Sequence, residues 1–368
     1  MFKVVVEQVV ALVVVGSLLA SFAVTANSAK FFINGYSDNY TPSVPVVDFF
    51  GSWKGAKSYE QADKAYSNQF FQVGVQTKAF SIAAFYRYDY NLTMHPDVAE
   101  YRYTFHNARD ELQDKDYVYD FFEQRLTTQG VRVGYFHRFN NGLSVKSYLN
   151  VFTSSKYQQR DIRDGYVNGI SRLGDANANY FFSKDSLYQF LEVDKAPKGY
   201  GASLDFELTY TLNSYQLTAK VKDLGHVVKW DASPYAIGSF RVNHFIYNQN
   251  DVREQAPLAS LNTHEGGIEK SFSMHLPIRA SLGLQKTFEA GYRTKIEYFY
   301  NEIFNHAVTS VAYDVWEDLE IEASVNLRSA ALGLKAHYKS FYVKLISDNV
   351  NPGYANSLSL YSGLEVPL

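Results

Sequence analysis

Residues 199–230, GYGASLDFELTYTLNSYQLTAKVKDLGHVVKW, switch between apolar and polar side chains with a period of two. Leu204, Phe206, Leu208 and Tyr210 interleave with Ser203, Asp205, Glu207 and Thr209. Leu212, Asn213 and Ser214 supply a turn. Tyr215, Leu217, Ala219 and Val221 then interleave with Gln216, Thr218, Lys220 and Lys222. This is the period of a strand with one apolar and one polar face. Pairing the two strands brings Asp205 and Glu207 near Lys220 and Lys222 on the polar face. The hairpin is read as the repeating unit of an antiparallel β-barrel.

The unit recurs. Alternating segments cover residues 66–75, 79–92, 120–139, 143–153, 278–285, 290–300, 306–315, 319–327, 330–338, 341–346 and 356–366, with 45–53 as a weak first candidate. With the hairpin these make about 14 strands, an even number that closes a barrel with both ends on one side. Most approach the roughly 9–11 residues that a tilted membrane-crossing strand needs. Three long polar connections, 93–119, 154–198 and 231–275, follow the third, fifth and seventh strands and so share one face. Turns at 77–78, 140–142, 213, 287, 317 and 339 fall on the other face. Long external loops and short periplasmic turns are the asymmetry of outer-membrane barrels. The expected fold is therefore all-β: a transmembrane, antiparallel, up-and-down barrel.

Composition decides which face meets what. The mean hydropathy is -0.25, too low for a bundle of membrane helices. A barrel shows such an average because half of each strand faces polar surroundings. A soluble sandwich would point its apolar faces inward. A wide membrane barrel inverts this, with apolar side chains toward lipid and ionic ones in the lumen. The expected lumenal set is Arg87, Asp89, Arg132, Arg138, Lys146, Asp205, Glu207, Lys220, Lys222, Arg279, Arg293, Lys295, Glu297, Glu320, Glu322 and Lys335. Both signs are interleaved, which favours a network of ion pairs over an ion-selective eyelet, where one sign would dominate.

The first residues read as a secretory signal. Lys3 precedes an apolar core over residues 9–23, and small residues allow cleavage after Ala26 or Ala29. Residues 1–29 are thus expected to be removed, residues 30–368 to form the barrel, and residues 30–43 to lie in the periplasm or plug the lumen. The expected location is the bacterial outer membrane, with its lipid and the barrel-assembly machinery as partners. The net charge of -3 offers no field to recruit nucleic acid.

Three segments carry a resemblance: 199–230, 276–283 (LPIRASLG) and 345–363 (LISDNVNPGYANSLSLYSG). The spacing of their Asp-Leu-Gly, Leu-Pro and Ser-Asp-Asn pieces resembles a family of outer-membrane barrels akin to the long-chain fatty-acid transporters (FadL) and the PorV-like barrels. The resemblance implies a 14-stranded barrel, plugged by its N-terminal segment around Asn34, Asp38 and Asn39. It also implies uptake of apolar small molecules, or a role in secretion or surface assembly. The Asn-Pro-Ala hatch signature of the fatty-acid transporters is absent from this sequence.

No catalytic, metal or cofactor motif stands out. There is no phosphate-binding glycine loop, no HExxH and no GxSxG. The absence of Cys removes disulfides and thiolate chemistry. Asp161, Asp164 and Asp175 fit no EF-hand spacing, and an acid–base pairing such as His306 with Asp314 has no motif around it. The expected function is a channel or transporter for small solutes, including apolar ones. The alternative is a non-conducting scaffold for secretion or surface-structure assembly. An outer-membrane enzyme ranks last.

Overall fold

The computed structural model describes residues 29–51, 53–54, 62–171, 173–184, 197–243, 246–247, 253–255 and 258–368. The signal-peptide reading falls on residues 1–28, outside those described. The chain forms β1 (Lys30–Tyr40), α1 (Val46–Phe49), β2 (Lys64–Gln76), β3 (Phe80–Met94), α2 (Pro96–Asn107) and β4 (Asp116–Val118). Next come β5 (Phe121–Arg138), β6 (Leu143–Asn168), β7 (Gly174–Phe182), β8 (Gly199–Leu212) and β9 (Tyr215–Asn243). The short β10 (Ile246–Tyr247) and β11 (Arg253–Gln255) precede β12 (Leu258–Met274), β13 (Arg279–Thr287) and β14 (Tyr292–Asn301). The chain ends with β15 (His306–Trp316), β16 (Leu319–Asn326), β17 (Leu332–Tyr338), β18 (Phe341–Ser347) and β19 (Ser357–Pro367).

Antiparallel pairing runs β1-β2-β3-β5-β6-β8-β9-β13 and on through β19 in sequence order, giving a wall of 14 strands. The wall closes where β19 returns to β1, in register from Lys30 opposite Pro367 to Tyr40 opposite Ser357. Closure leaves no free edge in the wall. The Leu368 N–H donates to the Ala29 carbonyl at 2.9 Å, so both ends meet on the side of the short turns.

The first wall strand differs from expectation. Residues 45–53 are not a strand but hold α1, whose Phe49 packs on Trp53 and Tyr90 with ring centroids 5.1 and 6.0 Å apart. Residues 30–40 are not a plug but β1. They were hard to read because the outward set Phe31, Ile33, Gly35, Ser37 and Asn39 loses its apolar character halfway. Two neighbours impose the strand instead, with all of β1 in register on both β2 and β19.

The long connections also differ. β6 leaves the wall above residue 154 and exchanges β8 for β7, while β9 continues to Asn243 against β7 and β12. Much of 154–198 and 231–275 is therefore strand, standing above the barrel. In β7 the buried Ala176, Ala178, Tyr180 and Phe182 alternate with Asp175, Asn177, Asn179 and Phe181. That is the ordinary pattern of a strand in water, where the inversion of the wall no longer applies.

On the wall the apolar set faces out. Val133, Leu208, Leu284 and Leu345 are each about half exposed, and Leu334 is 61% exposed. In a water-soluble protein such a contiguous apolar surface would be anomalous. The inward positions are not uniformly polar. On the loop side, Phe85, Leu126, Phe152, Tyr157, Val228, Trp230, Phe272, Met274 and Leu276 form one buried cluster. From it a run of rings follows the wall, Phe152–Phe85–Phe70–Tyr36–Tyr361, with successive centroids 6.2, 5.6, 5.8 and 5.8 Å apart. Glycine makes room for it: a Cβ on Gly201 would lie 2.5 Å from the Phe152 ring, and one on Gly130 2.7 Å from Phe152.

Candidate solute pathway

The ionic groups of the lumen gather around a break in β9. Asp223 and Gly225 adopt φ of 64° and 63°, and the β8–β9 register shifts on both sides of Leu204. This bulge turns Asp223 inward. Its N–H donates to Asp205 Oδ1 at 2.9 Å. Its buried carboxylate accepts from Arg87, at 3.0 Å for one pair, and from Arg279 at 2.6 and 2.9 Å. Arg87 also donates to Asp89 at 2.9 Å, and Arg132 pairs with Asp205 at 2.7 Å. Asn150 bridges Asp205 and Ser203. Buried charges persist only when paired and hydrogen-bonded in this way. Asp223 was missing from the expected lumenal set. Its position shifts parity at the bulge, so alternation cannot place it, and the only local signal is the Asp-Leu-Gly triplet.

The other expected residues fall into smaller groups. Lys146 meets Glu207 at 2.7 Å, with Lys220 at 4.0 Å from the same carboxylate. Lys295 contacts Glu297. Arg293 bridges Asp314 and Glu320; Lys335 reaches Glu320 at 2.8 Å and Glu322 at 4.0 Å. Lys344, not anticipated, holds Glu322 at 2.8 Å. Arg138 and Lys222 form no ion pair among the described residues; Lys222 Nζ lies 5.0 Å from the Tyr36 ring centroid.

Cavities run beside these groups. One of about 510 Å³ lies against β1, β2, β9 and β13–β19. Its ionic lining is Lys220, Lys222, Arg279, Lys295, Lys335 and Lys344 against Asp38, Glu297 and Glu322. A second, about 460 Å³, reaches the turn end at Gly142 and Thr211 and shares Lys220 and Lys295 with the first. A third, about 580 Å³, lies beyond Asp223, where residues 275–278 leave the ladder and the Leu276 N–H donates to His226 Nδ1 at 3.3 Å. Toward the loop end the first cavity meets Phe304. This ring is 2% exposed and stacks on Tyr40 at 4.0 Å, under the Arg328 guanidinium at 4.4 Å.

His306 and Asp314 do not come together. They share β15 eight positions apart, roughly 26 Å at about 3.3 Å per residue, and Asp314 is paired with Arg293. Asp161, Asp164 and Asp175 each have a partner of their own, Arg163, Asn177 and Arg241, and no group of three or more histidines or acids among the described residues could hold a metal ion.

No family model matches the chain, and no curated protein matches it. Several solved barrels are similar. They include the "TodX deltaS2S3 mutant monoaromatic hydrocarbon channel" (10% identity, TM-score 0.43, covering 95% of this chain and 92% of that one). The toluene transporter TbuX of Ralstonia pickettii gives 8% identity and TM-score 0.41, over 94% and 90%. A FadL homologue of Pseudomonas aeruginosa gives 8% identity and TM-score 0.35, over 95% and 92%.

Proposed function

We propose that the chain is an outer-membrane β-barrel that passes small solutes through the polar side of its lumen. The apolar outward face supports a place in lipid, and the meeting of the first and last wall strands at Ala29 and Leu368, on the side of the short turns, supports a periplasmic orientation for that end. The observation that carries the channel reading is the placement of two cavities end to end. They share the lining residues Lys220 and Lys295 and between them reach from the turn end at Gly142 and Thr211 to Phe304, which supports a path along this side of the lumen. The rest of the lumen, filled by the aromatic cluster and braced by the Asp223 network that borders the first cavity at Arg279, supplies rigidity.

Phe304 then acts as the closure at the external end. In planar bilayers the natural protein is expected to show small, infrequent conductance steps. Phe304→Ala is expected to raise conductance several-fold, because the ring is replaced by a gap above the cavity. A variant that folds yet stays silent would favour the scaffold alternative. That alternative has its own support in the strands of β6, β7, β9 and β12 standing clear of the wall.

A further inference from the structure

The upper polar cavity is unevenly charged, and the imbalance has an address. Of its six cations, Arg279 is taken by Asp223, Lys295 by Glu297, Lys335 by Glu320 and Lys344 by Glu322. The remaining two, Lys220 and Lys222, stand two positions apart on β9 and point the same way. Glu207 sits 4.0 Å from Lys220 but 2.7 Å from Lys146, and Lys222 forms no ion pair among the described residues. The carboxylate not used for ion pairing, Asp38, lies further along β1, with its oxygens held by Ser359 at 2.7 Å and Tyr66 at 3.5 Å.

Beside the two lysines the wall is aromatic. Tyr36 carries the Lys222 ammonium 5.0 Å from its centroid and stacks on Tyr361 at 5.8 Å. Ser281, opposite Lys220 in the β9–β13 ladder, is committed to Glu297 at 3.0 Å. An ammonium with donors to spare next to a planar apolar surface suits one kind of guest. Its carboxylate accepts from the lysines and its flat body packs against the cavity-facing edge of the Phe70–Tyr36–Tyr361 stack. We propose that this cavity is a binding site for small organic monoanions with a planar apolar body, held by Lys222 and Lys220 against Tyr36. The proposal rests on the solute-channel reading and narrows it to a substrate class.

The test uses the full barrel in detergent micelles, where binding is read without any need for conduction. Benzoate, benzyl alcohol and benzylamine are titrated by calorimetry. Benzoate is expected to bind, and the neutral and cationic analogues to bind at least about tenfold more weakly. Lys222→Met is expected to weaken benzoate by about tenfold or more. Lys229→Met, an exposed lysine of the same strand outside the cavity, is expected to change nothing. Benzoate binding no better than benzyl alcohol, or unaffected by a folded Lys222→Met variant, overturns the proposal. If that variant fails to fold, the discrimination among the three probes by the natural protein decides alone. A silent bilayer with selective benzoate binding would sink the channel reading and leave the site standing; a conducting barrel blind to benzoate would do the reverse.

Discussion

Asp223→Ala is expected to destabilise the barrel by roughly 3–5 kcal/mol, the range for removing one partner of a buried ion pair. The carboxylate is 1% exposed and is shared by Arg87 and Arg279. Without it Arg87 keeps Asp89, but Arg279 loses its only ion-pair partner among the described residues. Two neighbouring guanidinium groups would then repel across a space with little water. The backbone adds to the loss, since a φ of 64° suits asparagine and aspartate better than alanine. Asp223→Asn separates the two effects. It keeps a side chain tolerant of that conformation and an accepting oxygen while removing the charge, so it should fall between the natural protein and alanine. Urea titration in micelles, followed by the mobility shift of folded barrels on unheated gels, gives the order. An alanine variant within about 1 kcal/mol of the natural protein would mean that the network is not holding the bulge.

Trp230→Ala is expected to cost roughly 3–5 kcal/mol by the same assay, the usual range for emptying the space of a buried aromatic residue. The ring is fully buried, stacks 4.0 Å from Tyr157 and 5.6 Å from Phe272, and donates its Nε1–H to the Ser154 carbonyl at 3.3 Å. The fit is specific: a Cβ on Gly199 would lie 2.5 Å from the indole. Trp230→Phe keeps most of the contact and loses one hydrogen bond, so a smaller loss of about 1–2 kcal/mol is expected. A barrel whose interior held only water and ion pairs on this side would tolerate the alanine.

The wall was legible because its outward face is apolar and its inward face carries the ionic groups, so the two alternate, as in Leu204 to Tyr210 and Tyr215 to Val221. Alternation reports which residues share a face and nothing more. It places Phe85 on the face of Arg87, but it could not show that Phe70, Phe85 and Phe152 pack together and fill one side of the interior, because a lumen has no rule that its filling be polar. β1 was missed where its outward residues turn to Ser37 and Asn39, near the end of the wall. The strands above the wall were read as loops because they are bathed in water and carry Lys156, Gln158 and Gln159. Asp223 sits where a bulge changes parity, and counting by twos fails at such a point.

The inversion of the wall can be probed directly, because the chain contains no cysteine. Thr218 and Ser310 line the polar cavities, while their neighbours Leu217 and Val311 are 43% and 53% exposed on the outer face. Single variants Thr218→Cys, Ser310→Cys, Leu217→Cys and Val311→Cys are treated with a charged, water-soluble thiol reagent in intact membranes. Reaction at positions 218 and 310, with 217 and 311 protected until detergent removes the lipid, is the expected result. Labelling of 217 and 311 in the membrane, with 218 and 310 shielded, would contradict a barrel that turns its apolar face outward.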